Sequence, residues 1–137
     1  MSFTELELYW AAGFLEGEGS FVAASAACRT RPERKTVTIR LSACQVQIEP
    51  LERLQRIFGG YIRSYPHYKN WSPLFRWEVS GRRAAALMFT LWSIMSPKRK
   101  AQIENAIAKW KLNRSQSEGC KEGAPKGWVT RRSRIAA

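Results

Sequence analysis

Ala11-Ala12-Gly13-Phe14-Leu15-Glu16-Gly17-Glu18-Gly19 is the stretch around which the rest of the chain is organised. Upstream of it, Thr4-Glu5-Leu6-Glu7 has the form of a capping box, in which a Thr and a Glu three residues later each take the other's backbone N–H. Leu8, Ala11, Ala12 and Leu15 recur at helical spacing. The reading is a helix from about Glu5 to Leu15, ended by Gly17-Glu18-Gly19. Several local preferences are broken here together. Glycine inside a helix costs stability, yet Gly13 and Gly17 stand four apart on a shared face where two backbones can approach closely. A helix C-terminus disfavours carboxylates, yet Glu16 and Glu18 cluster there. Such coincident violations point to a functional site, and a bound metal cation would reverse the penalty. A solvated acidic helix end followed by a glycine turn fits the same spacing.

Working outward, Ser20 to Cys28 is small, apolar and partly β-branched, and is expected to be a strand. Arg29 to Lys35 is a basic loop broken by Pro32. Val37, Ile39, Leu41 and Ala43 alternate with Thr38, Arg40, Ser42 and Cys44, a two-residue period that gives a strand one buried and one polar face. Pro50 opens a helix with Leu51, Leu54, Ile57 and Phe58 on its apolar side, stopped by Gly59-Gly60. Tyr61–Tyr65 is a third strand, Pro66 to Pro73 a turn, and Leu74–Val79 a fourth strand. An apolar helix runs to Trp92, and another begins at Pro97, its pattern fading from Asn113. The order α-β-β-α-β-β-α, with an extra helix, predicts an α+β domain over residues 1–112. A basic tail follows over 113–137, where six Lys and Arg against two Glu leave +4. A four-stranded antiparallel sheet with helices on one face keeps its other face free to lie on something. Trp10, Trp77, Trp92 and Trp110 fall on apolar patterns and read as core or interface, whereas His67 reads as a turn residue.

Composition narrows the chemistry. With 137 residues the chain makes one ordinary domain. Lys and Arg number 23 against 11 acids, a net +12 that favours a polyanionic partner. There is no Asp, so every carboxylate role falls to Glu, and the single His67 excludes zinc sites built on several histidines. No phosphate-binding G-x-x-x-x-G-K-[ST] loop or G-x-S-x-G elbow occurs. Cys28, Cys44 and Cys120 lie far apart and are odd in number, which fits free thiols in a reducing compartment. The N-terminus has no basic, apolar signal pattern, and no run is long and apolar enough to span a bilayer. The expectation is an intracellular protein of a bacterial or archaeal cytoplasm or an organelle, with no membrane partner.

The opening stretch resembles the signature motif of the LAGLIDADG homing endonucleases. Ala12-Gly13 match its Ala-Gly, Phe14-Leu15 its two apolar positions, and Glu16-Gly17-Glu18-Gly19 its acid-small-acid-Gly. Ala11 departs from the usual Leu, and both acids are Glu where Asp is commoner. With the order of elements, the resemblance covers roughly residues 4–112. It implies that a chain with one motif is a homodimer, intron-encoded, that makes a staggered double-strand break across the minor groove of a long, near-palindromic DNA site. Motif helices would pack together through Leu8, Ala11, Ala12, Gly13, Leu15 and Glu16, with Glu16 capping or bridging near the interface. Glu18, with the Gly17 backbone carbonyl, would hold catalytic Mg²⁺, for which Mn²⁺ substitutes and which Ca²⁺ replaces without supporting cleavage. Gln45 matches the family's strand-end Gln near metal-bound water, although an ordinary polar strand end reads the same. Lys98 matches its active-site Lys, with Arg99 and Lys100 as alternatives, and a phosphate contact or a solvated basic helix start also fits.

Double-stranded DNA would then be read by the sheet's free face, through Thr38, Arg40, Ser42 and Cys44 on the second strand, Tyr61, Arg63 and Tyr65 on the third, and Arg76 and Glu78 on the fourth. Arg29, Arg31, Arg34 and Lys35 in the basic loop would reach outer bases or phosphates. A non-cutting binder, such as an RNA-splicing maturase or a DNA-binding regulator, is the rival reading. A basic structural protein of a ribonucleoprotein is another, but it has no use for small residues and carboxylates at a helix end.

Overall fold

The computed structural model describes residues 2–65 and 72–122. His67, Trp71 and the tail beyond Glu122 lie outside the described residues. The elements are α1 (Glu5–Glu18), β1 (Gly19–Ala27), β2 (Lys35–Gln45), α2 (Glu49–Phe58), β3 (Tyr61–Tyr65), β4 (Leu74–Ser80), α3 (Gly81–Trp92) and α4 (Pro97–Glu122). The fold is the expected α+β arrangement of four helices and a four-stranded antiparallel sheet, in the order β1-β2-β4-β3.

Side-chain alternation fixes which face meets the helices. Phe21 and Ala23 on β1, Ile39, Leu41 and Ala43 on β2, and Trp77 and Val79 on β4 are buried. They pack with Leu15 of α1, Leu51, Leu54 and Phe58 of α2, Leu87, Met88 and Leu91 of α3, and Ile103 of α4. Trp77 anchors the centre, and its indole N–H donates to the Gly59 carbonyl at 2.8 Å. The turn beneath it requires glycine: Gly60 has φ +89°, and a Cβ there would sit 2.6 Å from the Glu78 carbonyl oxygen.

Two elements are longer than the sequence suggests. Helix α1 continues through Gly17 to Glu18; glycine permits a helical conformation as readily as a left-handed one, and among the described glycines none before Gly59 has a positive φ. Helix α4 does not end near Asn113 but runs on to Glu122. Asn113 belongs to the folded body, since its side chain accepts from the Val37 N–H at 3.3 Å and donates to the Lys35 carbonyl at 3.2 Å. That contact ties α4 to the start of β2. Among the described residues, no helix is long and apolar enough to cross a membrane.

Candidate active site and nucleic-acid interface

The capping box at Thr4 is present on both sides, with Thr4 N donating to Glu7 at 2.8 Å and Glu7 N to the Thr4 hydroxyl at 3.1 Å. It starts α1 in a register that turns Ala11, Ala12 and Leu15 wholly into the chain's own core. This corrects the interface expected from the sequence: those three residues are spent inside the chain, and the periodicity that marked them is that of a core-facing stripe. The opposite stripe is Leu6, Tyr9, Gly13 and Gly17, at spacings of three and four. Leu6 is 82% exposed and Tyr9 54%, and a Cβ added at Gly13 or Gly17 would meet nothing within 4 Å. Leu8 lies on the inward stripe, partly buried against the core, and Glu16 is partly exposed between the two stripes.

The end of α1 is built to hand the chain directly into β1. Gly19 N–H closes the last helical bond to the Leu15 carbonyl, and a Cβ at Gly19 would collide with that oxygen. The Glu16 carbonyl has no intrahelical donor left, because the chain has become strand by Ser20. Arg99 of α4 supplies the donors, Nε at 3.0 Å and Nη2 at 2.8 Å. The Glu16 carboxylate accepts from the Ser96 N–H at 3.1 Å, at the start of α4, where negative charge is favoured. The Ser96 hydroxyl first, then its N–H, with the Arg99 and Lys98 charges, hold the Glu16 carboxyl below its usual range against the opposing effect of burial. Glu16 therefore caps a helix of its own chain.

Glu18 is exposed and, among the described residues, makes no hydrogen bond or ion pair. Gly19 pairs with Ala43 across the β1–β2 ladder, so Gln45 lies two residues farther along β2, about 7 Å beside the point where α1 ends. The three consecutive bases at the start of α4 diverge by about 100° each. Arg99 turns inward to Glu16, Lys100 lies over the Trp92 ring at 4.8 Å, and Lys98 alone points to solvent while its charge still acts on Glu16. The helix end thus brings Glu18, Gln45 and Lys98 to one end of the sheet. Among the described residues no three Cys, His or Glu side chains gather into a metal site within one chain.

The uncovered face of the sheet carries the polar parity. Thr38, Arg40, Ser42 and Cys44 share it with Tyr61, Arg63, Tyr65, Arg76 and Glu78, in the register Arg40↔Ser80, Ser42↔Glu78↔Tyr61 and Cys44↔Arg76↔Arg63. At its centre Glu78 lies 3.6 Å from Arg40 Nε and 3.3 Å from Arg76 Nε. The second approach is an ion pair without hydrogen-bond alignment, and Arg76 Nε is left buried with no acceptor. Arg76 Nη2 donates to the Ser42 hydroxyl at 3.3 Å. Ser42 is only 4% exposed, so a direct DNA contact from it is corrected to a supporting role under the Arg76 guanidinium, and Glu78 is already occupied by two cations. Arg29, Arg31 and Arg34 are exposed in the β1–β2 hairpin loop, which is closed by Cys28 N–H to Arg34 O at 2.9 Å, and Lys35 opens β2. Sequence reading missed Ser20, Val22 and Leu74, which lie exposed on the same face; strict alternation from Gly19 and from Trp77 was the available signal. Cys28 and Cys44 are free thiols.

No family model matches the chain, and no curated protein matches it in sequence. Solved structures do match. The homing endonuclease I-CvuI, in complex with its target in the presence of 2 mM Ca, superposes with a TM-score of 0.67 at 22% identity over 82% of this chain and 70% of its own. The group I intron-encoded homing endonuclease I-CeuI, complexed with DNA, gives 0.67 at 18% identity over 90% of this chain and 63% of its own.

The chain has the LAGLIDADG homing-endonuclease fold.

I-TnaI, another homing endonuclease, is similar with a TM-score of 0.65 and 20% identity, and the match covers 92% of this chain and 84% of that one. At such identities the shared property is the LAGLIDADG fold itself. Within that fold Glu18 stands at the end of α1, the place that the motif resemblance gives to its second acid.

Proposed function

We propose that the chain is a site-specific, divalent-metal-dependent DNA endonuclease that cuts both strands of a long, near-palindromic site as a homodimer. The observation that carries this reading is the exposed Glu18 carboxylate, without a partner among the described residues, at the end of a helix whose outer stripe, Leu6-Tyr9-Gly13-Gly17, is open along its length. One chain provides one such carboxylate and no three-ligand cluster among its described residues; two copies packed along the open stripes provide two, close to their shared axis. All-oxygen donors suit a hard cation, which favours Mg²⁺, with Mn²⁺ substituting and Ca²⁺ binding without turnover. I-CvuI, which has a similar fold, was crystallised on the I-CreI target in the presence of Mg, with the DNA not cleaved, and on its own target in the presence of Ca. The Gly17 carbonyl, one residue away, is the other candidate ligand. Bound there, the metal would supply an acidified water and charge neutralisation at the phosphate.

The chain's own residues then divide the remaining work. Lys98 places a cation where phosphate charge grows during cleavage. Gln45 offers an amide to orient water beside the Glu18 carboxylate. The free sheet face lies on DNA: β2, with 11 residues, is about 36 Å long, close to one turn of B-DNA at about 34–36 Å. One chain thus covers a half-site, read by Arg40, Arg63 and Arg76 with Thr38, Cys44, Tyr61 and Tyr65, and flanked by the hairpin arginines Arg29, Arg31 and Arg34 and by Lys35.

The test is a plasmid carrying the uninterrupted form of the locus in which the gene resides, incubated with Mg²⁺ and either the wild type or Glu18→Gln. One double-strand break by the wild type, and binding without cutting by Glu18→Gln, is the expected result. Binding without cutting by the wild type would overturn the endonuclease reading, and preference for structured RNA would replace it with a maturase.

A further inference from the structure

The junction between the end of α1 and the start of α4 does more than close the fold. We infer that Ser96 and Arg99 form a clasp on Glu16 that sets where Glu18 stands relative to Lys98, making Arg99 a positioning residue for the cleavage centre. For its catalytic consequence this inference rests on the endonuclease reading.

The geometry has three parts. First, the Glu16 carbonyl is held from one side by two arms of one guanidinium, at 3.0 and 2.8 Å. A planar group bonded at two points fixes direction as well as distance. Second, Arg99 is itself held. Its Nη1 donates to Gln102 at 2.9 Å, and its guanidinium lies 5.8 Å from the centre of the Phe21 ring. Third, the same residue is gripped at its other end, with the Glu16 carboxylate on the Ser96 N–H at 3.1 Å and the Ser96 hydroxyl accepting from the Arg99 N–H at 3.4 Å. Main chain and side chain of Glu16 are thereby both fastened to the first turn of α4.

The two candidate catalytic groups flank this clasp. Glu18 follows Glu16 by two residues, and Lys98 lies between Ser96 and Arg99. Among the described residues, neither the Glu18 nor the Lys98 side chain has a hydrogen bond or ion pair of its own. Their separation is therefore set through the clasp and through the Gly19 turn, which has no room for a side chain. The exposed helix end would otherwise fray, since α1 has no basic residue in its last turn to offset its dipole.

The experiment compares the full chain with Arg99→Ala and with Arg99→Lys in three measurements: amide hydrogen exchange at residues 17–20, affinity for the cleavable plasmid site in Ca²⁺, and single-turnover cleavage in Mg²⁺. Arg99→Ala is expected to exchange faster at those amides while the sheet keeps its protection. Its DNA affinity should stay near that of the wild type, while cleavage slows roughly ten- to hundredfold, the scale of a displaced catalytic group. Arg99→Lys, which keeps the charge and loses the fork, should recover part of the rate. Unchanged exchange at residues 17–20, or cleavage by Arg99→Ala at the wild-type rate, would overturn the inference. So would parallel loss of affinity, cleavage and global protection that Arg99→Lys fails to relieve, which would mark Arg99 as general support for the fold. A wild type that binds but never cuts would instead remove the endonuclease reading, and with it the catalytic consequence; the exchange comparison would still show whether Arg99 holds the turn that carries Glu18.

Discussion

Arg76 and Glu78, two residues apart on one strand, point to the same face and meet at 3.3 Å between Nε and Oε2. Arg40 approaches the same carboxylate from the neighbouring strand at 3.6 Å. One carboxylate thus sets the direction of two guanidinium groups on the surface proposed to read DNA. Glu78→Gln would release both. Nonspecific DNA binding should rise, because the face gains a net positive charge, while discrimination between target and random sequence should fall. A good bidentate Arg–guanine contact is worth about 1–3 kcal/mol, so losing one should lower the specificity ratio roughly five- to 150-fold. Competition titrations at fixed salt measure it, and an unchanged ratio would make Glu78 a bystander.

Gly13 offers a clean separation of folding from assembly. A side chain there meets nothing within its own chain, so Gly13→Leu should leave the monomer fold intact and even favour the helix by about 1 kcal/mol. Across two closely packed copies the same side chain would hold the helices apart. Sedimentation of the variant should show monomer under conditions where the wild type is dimer, with an unaltered circular dichroism spectrum. A variant that still dimerises would move the interface away from this stripe.

Gly19→Ala tests the hand-over from helix to strand. Its Cβ would run into the Leu15 carbonyl oxygen, a backbone atom with nowhere to go. Destabilisation by about 1–3 kcal/mol is expected from such overpacking, read as a lower melting temperature. Gly17→Ala, at a position with open space within its own chain, should show none of this clash, and any effect it has should appear in the pairing of two copies.

The Glu16 carboxyl titrates below its usual range because Ser96 and the neighbouring Arg99 and Lys98 favour its charged form. A carboxyl depressed in the folded state adds stability above its unfolded pKa, and that addition disappears as pH falls through the folded value. Wild type should therefore exceed Glu16→Gln in thermal stability at neutral pH, with the gap closing on acidification through and below the usual glutamate range. A gap that stays constant with pH would mean that the Ser96 contact carries no net charge preference.

Much of this was legible in the sequence, and the failures have physical causes. The alternation of Val37 to Cys44 assigned those residues of β2 to their faces, and Thr4-Glu7 and Gly59-Gly60 marked their helix ends. Ala11, Ala12 and Leu15 were misplaced because a buried stripe reads the same whether its partner is the chain's own sheet or a second molecule. Lys98, Arg99 and Lys100 are equivalent as letters; only the register of α4 sends one inward, one onto a ring and one to solvent. The extension of α4 to Glu122 left no apolar periodicity to follow, since its last turns are polar. Ser42 looked like a reader because parity gives a face and says nothing about which neighbour lies over it.

The solitary Glu18 has a kinetic meaning. If the cutting centre needs a carboxylate from each of two copies, a single chain is inert, whatever DNA it meets. Activity in dilute solution then grows with the square of protein concentration until pairing is complete. A few molecules in a cell would find the site without breaking it, and damage would begin only past a threshold of expression. The same dependence makes a catalytically dead copy harmful to a live one. Mixed with Glu18→Gln, the wild type would keep intact pairs only in proportion to the square of its own fraction, a dominant effect that no monomeric nuclease would show.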